Sequence, residues 1–535
     1  MKGTILAFAV LGLCGCSSAE AQRADNYMPD NPHVVLKETN LPIVFIDVDG
    51  REIQREERII ARMKIIDNGQ PHTMTEEELA TATSLNYADT LAHPNQHVDY
   101  TGNIALKYRG NSTFNGDKKP YSFHTLRSPI GEFEGEKQKV RLLGMNSDDD
   151  WALMAPYADR SMMRDLLAYE LSRPWMEFVP QGRYCELILD GTYYGVYVLS
   201  ELVSDGKNRL NLQRPGYDGN PLTGDYLMEV DRDDGQGYYT SRYNPVNDVG
   251  TRVRWITLHY KYEWPKYDEL TEEQRAYISS CIDDMEDAFA ADNYDDPQTG
   301  YRQYIDVRSF IDYQLATEFG HNVDGYRLSS KFYKRRDRTN SRFHMALWDM
   351  NLAYGNSENN NSWRTDGWAY KDNSLVYKQG ERQMPPFWWY KLNSDPNYVF
   401  DMQIRWWEYR NANFQEERIM ELIDSLATEL TSHGAMERNS QAWPRWGKYI
   451  WPNKYVAPDF ESEVAYLKQW LTERLAWMDE QLELQAVAIR QPRPSEQPRR
   501  IDGYYTLGGM RVKKPEKGIY VLRYNDGTSH MIHIK

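Results

Sequence analysis

Phe332-Tyr333-Lys334-Arg335-Arg336, then Asp337-Arg338-Thr339-Asn340-Ser341, then Arg342-Phe343-His344-Met345-Ala346-Leu347-Trp348-Asp349: the reading of this stretch decides the fold class. Two aromatic and apolar runs flank a polar turn cluster, which predicts an antiparallel hairpin of Phe332 to Arg336 with Arg342 to Trp348. Upstream the same pattern recurs. Leu41 to Gly50 is β-rich and ends in an Asp-Gly turn signal, Ile59 to Ile66 follows, and the two predict an opening hairpin. Ile104 to Tyr108 and Lys119 to His124 are strand-like and are joined by the loop Arg109 to Asp117. Cys185 to Leu189 and Gly195 to Leu199 flank Asp190-Gly191-Thr192-Tyr193-Tyr194, a further hairpin. Downstream of Asp349 the period lengthens, and Tyr398 to Ser432 and Phe460 to Leu484 read as mainly helical. Helices are also expected over Thr271 to Ala291, Val307 to Phe319 and, capped by Asp159 and stopped by Pro174, Asp159 to Arg173. Thr75 to Leu85 is polar and weakly helical. A β-rich part followed by a helical part is an α+β chain, not a doubly wound sheet.

The 535 residues carry 63 Lys+Arg against 79 Asp+Glu, a net charge of −16. That balance argues against nucleic acid as a partner, because phosphate backbones demand a basic face. Lys2 and the apolar run Ile5 to Leu13 are too short for a membrane span and read as a secretory signal. The run ends in Leu13-Cys14-Gly15-Cys16, similar to a bacterial lipobox with Cys16 as the acylated residue. The expected division is a lipoprotein signal at 1–16, a tether at 17–40, a main domain at 41–485, a Pro-rich linker at 486–499 and a small all-β module at 500–535. The expected place is the cell envelope, at the outer membrane or cell surface, with membrane contact through the lipid anchor only. Cys185 and Cys281 remain, and their spacing neither declares a disulfide nor forms a metal pattern.

Two constellations carry chemistry. In the loop Arg109 to Asp117, Gly110, Asn111, Ser112, Thr113 and Gly116 offer backbone N–H groups and small hydroxyls of the kind that hold phosphate oxygens, with Lys118 and Lys119 beside them. Alone, that is also the ordinary composition of a turn. The second is sharper. Asp324 precedes one leg of the 332–348 hairpin and Asp349 ends the other, and the legs of a hairpin lie about 5 Å apart. Two carboxylates converging there, with the Asn351 amide two residues on, suit Mg²⁺ and phosphates better than zinc. The alternative is a pair of turn-capping aspartates. Trp388-Trp389 and Trp406-Trp407 either stack on sugar rings or fill a core. Neither a serine nucleophile elbow nor a His-Glu-x-x-His zinc pattern occurs.

Four motifs then appear in order: Arg109-Gly110-Asn111-Ser112-Thr113 with Lys118-Lys119-Pro120-Tyr121; Asn146-Ser147-Asp148-Asp149-Asp150-Trp151; Asp190 to Tyr197 with Glu201; and Trp348 to Asn356. Over about residues 41–430 the chain resembles the CotH family of spore-coat kinases and their relatives, whose fold is a divergent, two-lobed, protein-kinase-like one. The resemblance implies Mg²⁺ and ATP, with transfer of phosphate to protein Ser/Thr hydroxyls. It implies Asp324 as catalytic base and Asp349 as metal ligand. Lys118 or Lys119 would be the phosphate-contacting lysine, and Arg109, Asn111, Ser112 and Glu201 would stand near the nucleotide. Kinases carry an asparagine shortly after the catalytic aspartate. Here the stretch is Ser329-Ser330-Lys331, and Asn351 is the substitute ligand. A second reading keeps the fold without catalysis, as a surface lipoprotein that binds a glycan or a partner protein. A third, a glycoside hydrolase, requires two carboxylates facing each other across about 5–9.5 Å of open groove.

Overall fold

The computed structural model describes residues 27–69, 72–73, 97–128, 135–233, 235, 237–375, 383–483, 501–507, 509–524 and 529–534. The signal with Cys16, tether residues 17–26, the segment Thr75 to Leu85 and the linker 486–499 lie outside them.

Seven strands close into a barrel: β1 (Ile43–Asp47), β2 (Ile59–Ile66), β3 (Val98–Tyr108), β4 (Tyr121–Leu126), β5 (Asp150–Met154), β6 (Gly182–Leu189) and β7 (Thr192–Ser200). The order around the wall is β1-β2-β3-β4-β5-β7-β6. All but one of the pairings are antiparallel. The ring shuts where β1 runs parallel to β6, Ile43 opposite Glu186 and Ile46 opposite Leu189. Alternating residues fill the interior, among them Val44, Met63, Leu106, Phe123, Trp151 and Tyr197. The opening hairpin forms, and so does the β6–β7 hairpin. The latter turns through Asp190 (φ 46°) and Gly191 (φ 73°), a left-handed pair that Asp-Gly adopts at little cost.

The chain after the barrel builds a second, antiparallel sheet from β8 (Tyr226–Val230), β9 (Tyr238–Thr240), β10 (His259–Trp264), β11 (Ser330–Lys334) and β12 (Phe343–Ala346), in the order β9-β10-β8-β11-β12. The longer helices are α1 (Arg164–Ser172), inserted before β6, then α2 (Glu272–Ala290), α3 (Val307–Gly320), α4 (Pro396–Arg410), α5 (Glu416–Thr431), α6 (Ala435–Ala442) and α7 (Phe460–Gln481), and a short one, Phe387–Leu392, precedes α4. Thr271 and Gln274 close a reciprocal capping box at the start of α2. The helices share one core, in which Phe319, Trp388, Trp389, Trp406 and Leu471 are buried, so these tryptophans are packing residues and offer no face to a sugar. On β11, Ser330 and Lys334 meet Tyr313 and Tyr277 of the helices. Lys331 and Tyr333, by the two-residue alternation, point the other way.

The chain is thus a mixture of α and β, but its division is finer than a β part followed by a helical part. The first part is a closed barrel, and five further strands stand among the helices. Two boundaries also shift. The helix expected from Asp159 starts at Arg164, because Met162 is left-handed (φ 61°) and interrupts the first turn. Asp159 instead accepts N–H bonds from Ser161 and Arg164. The deciding hairpin ends at Ala346, and its turn is a helical one, Asp337–Asn340. Residues from 501 onward form a four-stranded antiparallel sheet, β13 (Ile501–Tyr505), β14 (Arg511–Val512), β15 (Gly518–Tyr524) and β16 (Ser529–Ile534), in the order β14-β13-β15-β16. Cys185 and Cys281 are both free thiols. Among the described residues no helix is long and apolar enough to cross a membrane.

Candidate functional site

A cleft of about 1420 Å³ takes one wall from the barrel, including Lys107, Arg109 and Ser200, and another from the second sheet, including Leu227, Glu229 and Lys331. Asp324, Asp349 and Asn351 line the same cleft, as do Arg109, Asn111 and Ser112.

Asp349 sits three residues beyond β12 in a left-handed conformation (φ 61°), uncommon for a residue with a side chain and held here by its neighbours. Ser329 Oγ donates to its Oδ2 at 3.1 Å, and the Asn351 amide donates to Oδ1. Asn322 Nδ2 donates to its backbone oxygen at 3.1 Å, and the next N–H, of Met350, donates to Asp165 at 2.7 Å. Asp324 lies in the turn that follows α3, after the left-handed cap His321. Its own N–H donates to Asn322 Oδ1 at 3.2 Å, and the Arg327 guanidinium is 3.5 Å from its carboxylate. One buried side chain, Asn322, therefore ties down the backbone at both aspartates.

The acids are crowded. Burial, and after it the charge of Asp324, pushes the Asp349 carboxyl up to about 6, against the pull of Ser329 and Arg109. Burial and then Asp349 push Asp165 up to about 8. Burial also raises Asp231, on the same cleft. Such crowding is what a bound cation would relieve. On the barrel side, burial lowers the Arg109 pKa while Asp150 and Asp349 hold its charge. Its Nη1 is buried without a hydrogen-bond partner, a donor fit for an anion. The Arg109 guanidinium lies 5.4 Å from the Trp348 ring centre.

Not every residue singled out in the sequence reaches this place. Lys118 is buried in the barrel wall, where Nζ donates to the Val196 carbonyl and, at 2.9 Å, to Asn439. Burial brings its pKa down to about 7. Lys119 donates to the Phe114 carbonyl at 2.6 Å beneath the rings of Tyr27 and Phe114. Neither lines the cleft, so the phosphate-contacting role implied for them is not available in this geometry. Glu201 is buried and accepts N–H bonds from Asn146 (2.9 Å) and Gln181 (3.0 Å). The chain just after it, Leu202 to Ser204, does line the cleft. Asp165, Asp231 and Lys331 were missed by the sequence reading. For Asp165 the one available signal was a charged pair, Arg164-Asp165, between Met162-Met163 and Leu166-Leu167.

Among the described residues there is no group of three or more His, Cys, Asp or Glu arranged to hold a metal, which rules out a closed zinc-type cage there. Mg²⁺ asks for less: one or two carboxylates, with water and phosphate oxygens completing the shell. Asp349 and Asp324 meet that demand. A family profile described as CotH kinase protein matches residues 106–478. No curated protein matches the chain. The matched span is most of the chain and contains both aspartates, their Asn322 tie and Arg109, so the chain belongs to the CotH family.

Proposed function

We propose that this protein transfers phosphate from ATP, with Mg²⁺, to a Ser or Thr hydroxyl of a protein acceptor. The observation that carries this reading is the meeting of Asp324 and Asp349 on one cleft, electrostatically coupled, with the unpaired buried donor of Arg109 nearby. In this reading the barrel and the second sheet with its helices are counterparts of the two lobes of a protein kinase. Asp349 is the metal ligand, positioned by Ser329 and Asn322, and Asn351 is next to it. Mg²⁺ held by Asp349 would supply positive charge against the phosphates. Asp324 is less enclosed, with 21% of its side chain exposed, and can meet an acceptor from solvent. Its carboxylate accepts the hydroxyl proton, while Asn322 fixes its backbone. Arg109 donates to the phosphates, and the Asn111–Ser112 loop covers them.

Purified protein with Mg²⁺ and γ-labelled ATP tests this. Label transfer should fall by about 10²–10⁴-fold in Asp324→Asn, with Mg²⁺-ATP affinity retained. If neither wild-type transfer nor wild-type Mg²⁺-ATP binding is found, the reading is wrong. Binding with no turnover on any acceptor supports the other reading, a non-catalytic module for a glycan or partner protein.

We further propose that the protein is exported and anchored through lipid on Cys16, with residues 1–15 removed. Support comes from Lys2, the short apolar run and the Leu13-Cys14-Gly15-Cys16 ending. Cys16→Ser should move the protein from the membrane fraction to the soluble one. Unchanged partitioning would overturn the anchor.

A further inference from the structure

Neither Lys118 nor Lys119 lines the cleft, and one lysine that does is set unlike the rest. Of the described lysines that line it, Lys331 alone is buried. Its Nζ lies 2.9 Å from Glu229 Oε1 and 2.9 Å from Glu263 Oε1. The clamp is a property of the sheet. Glu229 on β8 stands opposite Lys331 on β11 and opposite Lys261 on β10, so three neighbouring strands carry charge across the cleft face. Lys266 fixes Glu263 from the far side at 2.5 Å.

Burial works against the charge of Lys331, and the two glutamates outweigh it. A buried ion cluster of this kind contributes little to stability compared with apolar packing of the same volume. Two residues on, on the same face of the strand, Tyr333 packs in an apolar cluster with Leu227 and Ala346. Packing alone would therefore have been served by an apolar residue at 331. An ammonium has three N–H groups, and the clamp takes two of them. From the barrel side, Arg109 has both Asp349 and Glu263 among its charged neighbours. That puts the arginine, the aspartate and the lysine clamp in one neighbourhood.

We propose that Lys331 is the phosphate-binding lysine of this cleft, held charged and aimed by Glu229 and Glu263, and that with Arg109 it takes the polyphosphate of a nucleoside di- or triphosphate. The proposal rests on the nucleotide reading of the site. It moves the role from the β3–β4 side of the barrel to β11, seven residues after Asp324.

Calorimetry with Mg²⁺-ATP, Mg²⁺-ADP and adenosine tests it on wild type, Lys331→Met, Lys331→Arg and the charge-balanced Lys331→Met/Glu263→Gln. A lost charge-assisted hydrogen bond predicts a fall of about 10–100-fold in ATP and ADP affinity in both methionine variants. Adenosine affinity should hold, and Lys331→Arg should recover most of the loss. Equal ATP affinity in wild type and Lys331→Met overturns the proposal, and so does a matching loss for adenosine, the mark of a merely structural role. The native protein gives an independent reading should the variants fail to fold. An acyl-phosphate derivative of ATP, which acylates a lysine lying against the phosphates, should label Lys331, and label on Lys118 or Lys119 instead overturns the proposal. Wild type that binds no Mg²⁺-ATP fails the nucleotide reading itself, a different result from any of these.

Discussion

Asp349→Asn is expected to abolish phosphoryl transfer and, without nucleotide, to raise the melting temperature. Asparagine keeps the shape and can still accept from the Asn351 amide and meet Ser329. It cannot supply the charge that Mg²⁺ requires. Mg²⁺-ATP affinity should fall with activity, and unchanged affinity would end the metal-ligand role. The stability gain follows from proton linkage. The folded carboxyl titrates at about 6 against an ordinary 3.8, so the folded state binds the proton more tightly than the unfolded one. Stability therefore falls as pH rises from about 4 to about 6 and stays reduced above that. The full shift corresponds to about 3 kcal/mol, an upper bound because water in the cleft screens it. Asparagine removes this penalty, so the variant's advantage should be present at pH 7 and nearly absent at pH 4. Melting curves at the two pH values check this, and an advantage of equal size at both would refute the electrostatic cause.

Arg164→Met should be the most damaging single change away from the cleft. Arg164 is fully buried, with Nη1 2.5 Å from Asp159 and 2.9 Å from Glu463, and its Nε donates to the Ala353 carbonyl at 3.1 Å. It joins the start of α1, which carries Asp165, to the chain just past Asp349 and to α7. Methionine fills the volume but leaves two buried carboxylates without their cation, a loss of about 3–5 kcal/mol. Urea unfolding measures it. The double variant Arg164→Met/Glu463→Gln should recover part of the loss, since one of the stranded charges is gone. A single-variant loss below about 1 kcal/mol would mean that the buried arginine is not a strut.

Local structure was legible where local rules act. The Asp190-Gly191 turn, the helix expected from Thr271 and the pairing of β1 with β2 all follow from neighbouring residues. Barrel closure was not, because it joins Ile43 to Glu186 across more than a hundred residues, and no short pattern encodes that partner. The site shows the same limit. Asp324 and Asp349 could be placed on one cleft because a single hairpin follows the first and precedes the second. Lys118 and Lys119 were misplaced because turn composition says which residues sit in a loop but not which side of the wall they face. Lys331 could have been found by alternation along β11, with Phe332 and Lys334 turned to the helices and Lys331 to the cleft. Its glutamate partners sit on β8 and β10, beyond the reach of that pattern.

The closed wall also fixes where the protein can be cut. The family match starts at residue 106, inside β3, and so leaves out β1, β2 and most of β3. A fragment trimmed to 106–478 would keep four staves of seven, with the flanks of β4 and β6 stripped of their neighbours. Bare strand flanks offer rows of unpaired N–H and C=O groups to other copies, and such molecules aggregate. The region that defines kinship is therefore smaller than the region that can fold, and an expression boundary belongs upstream of Leu41.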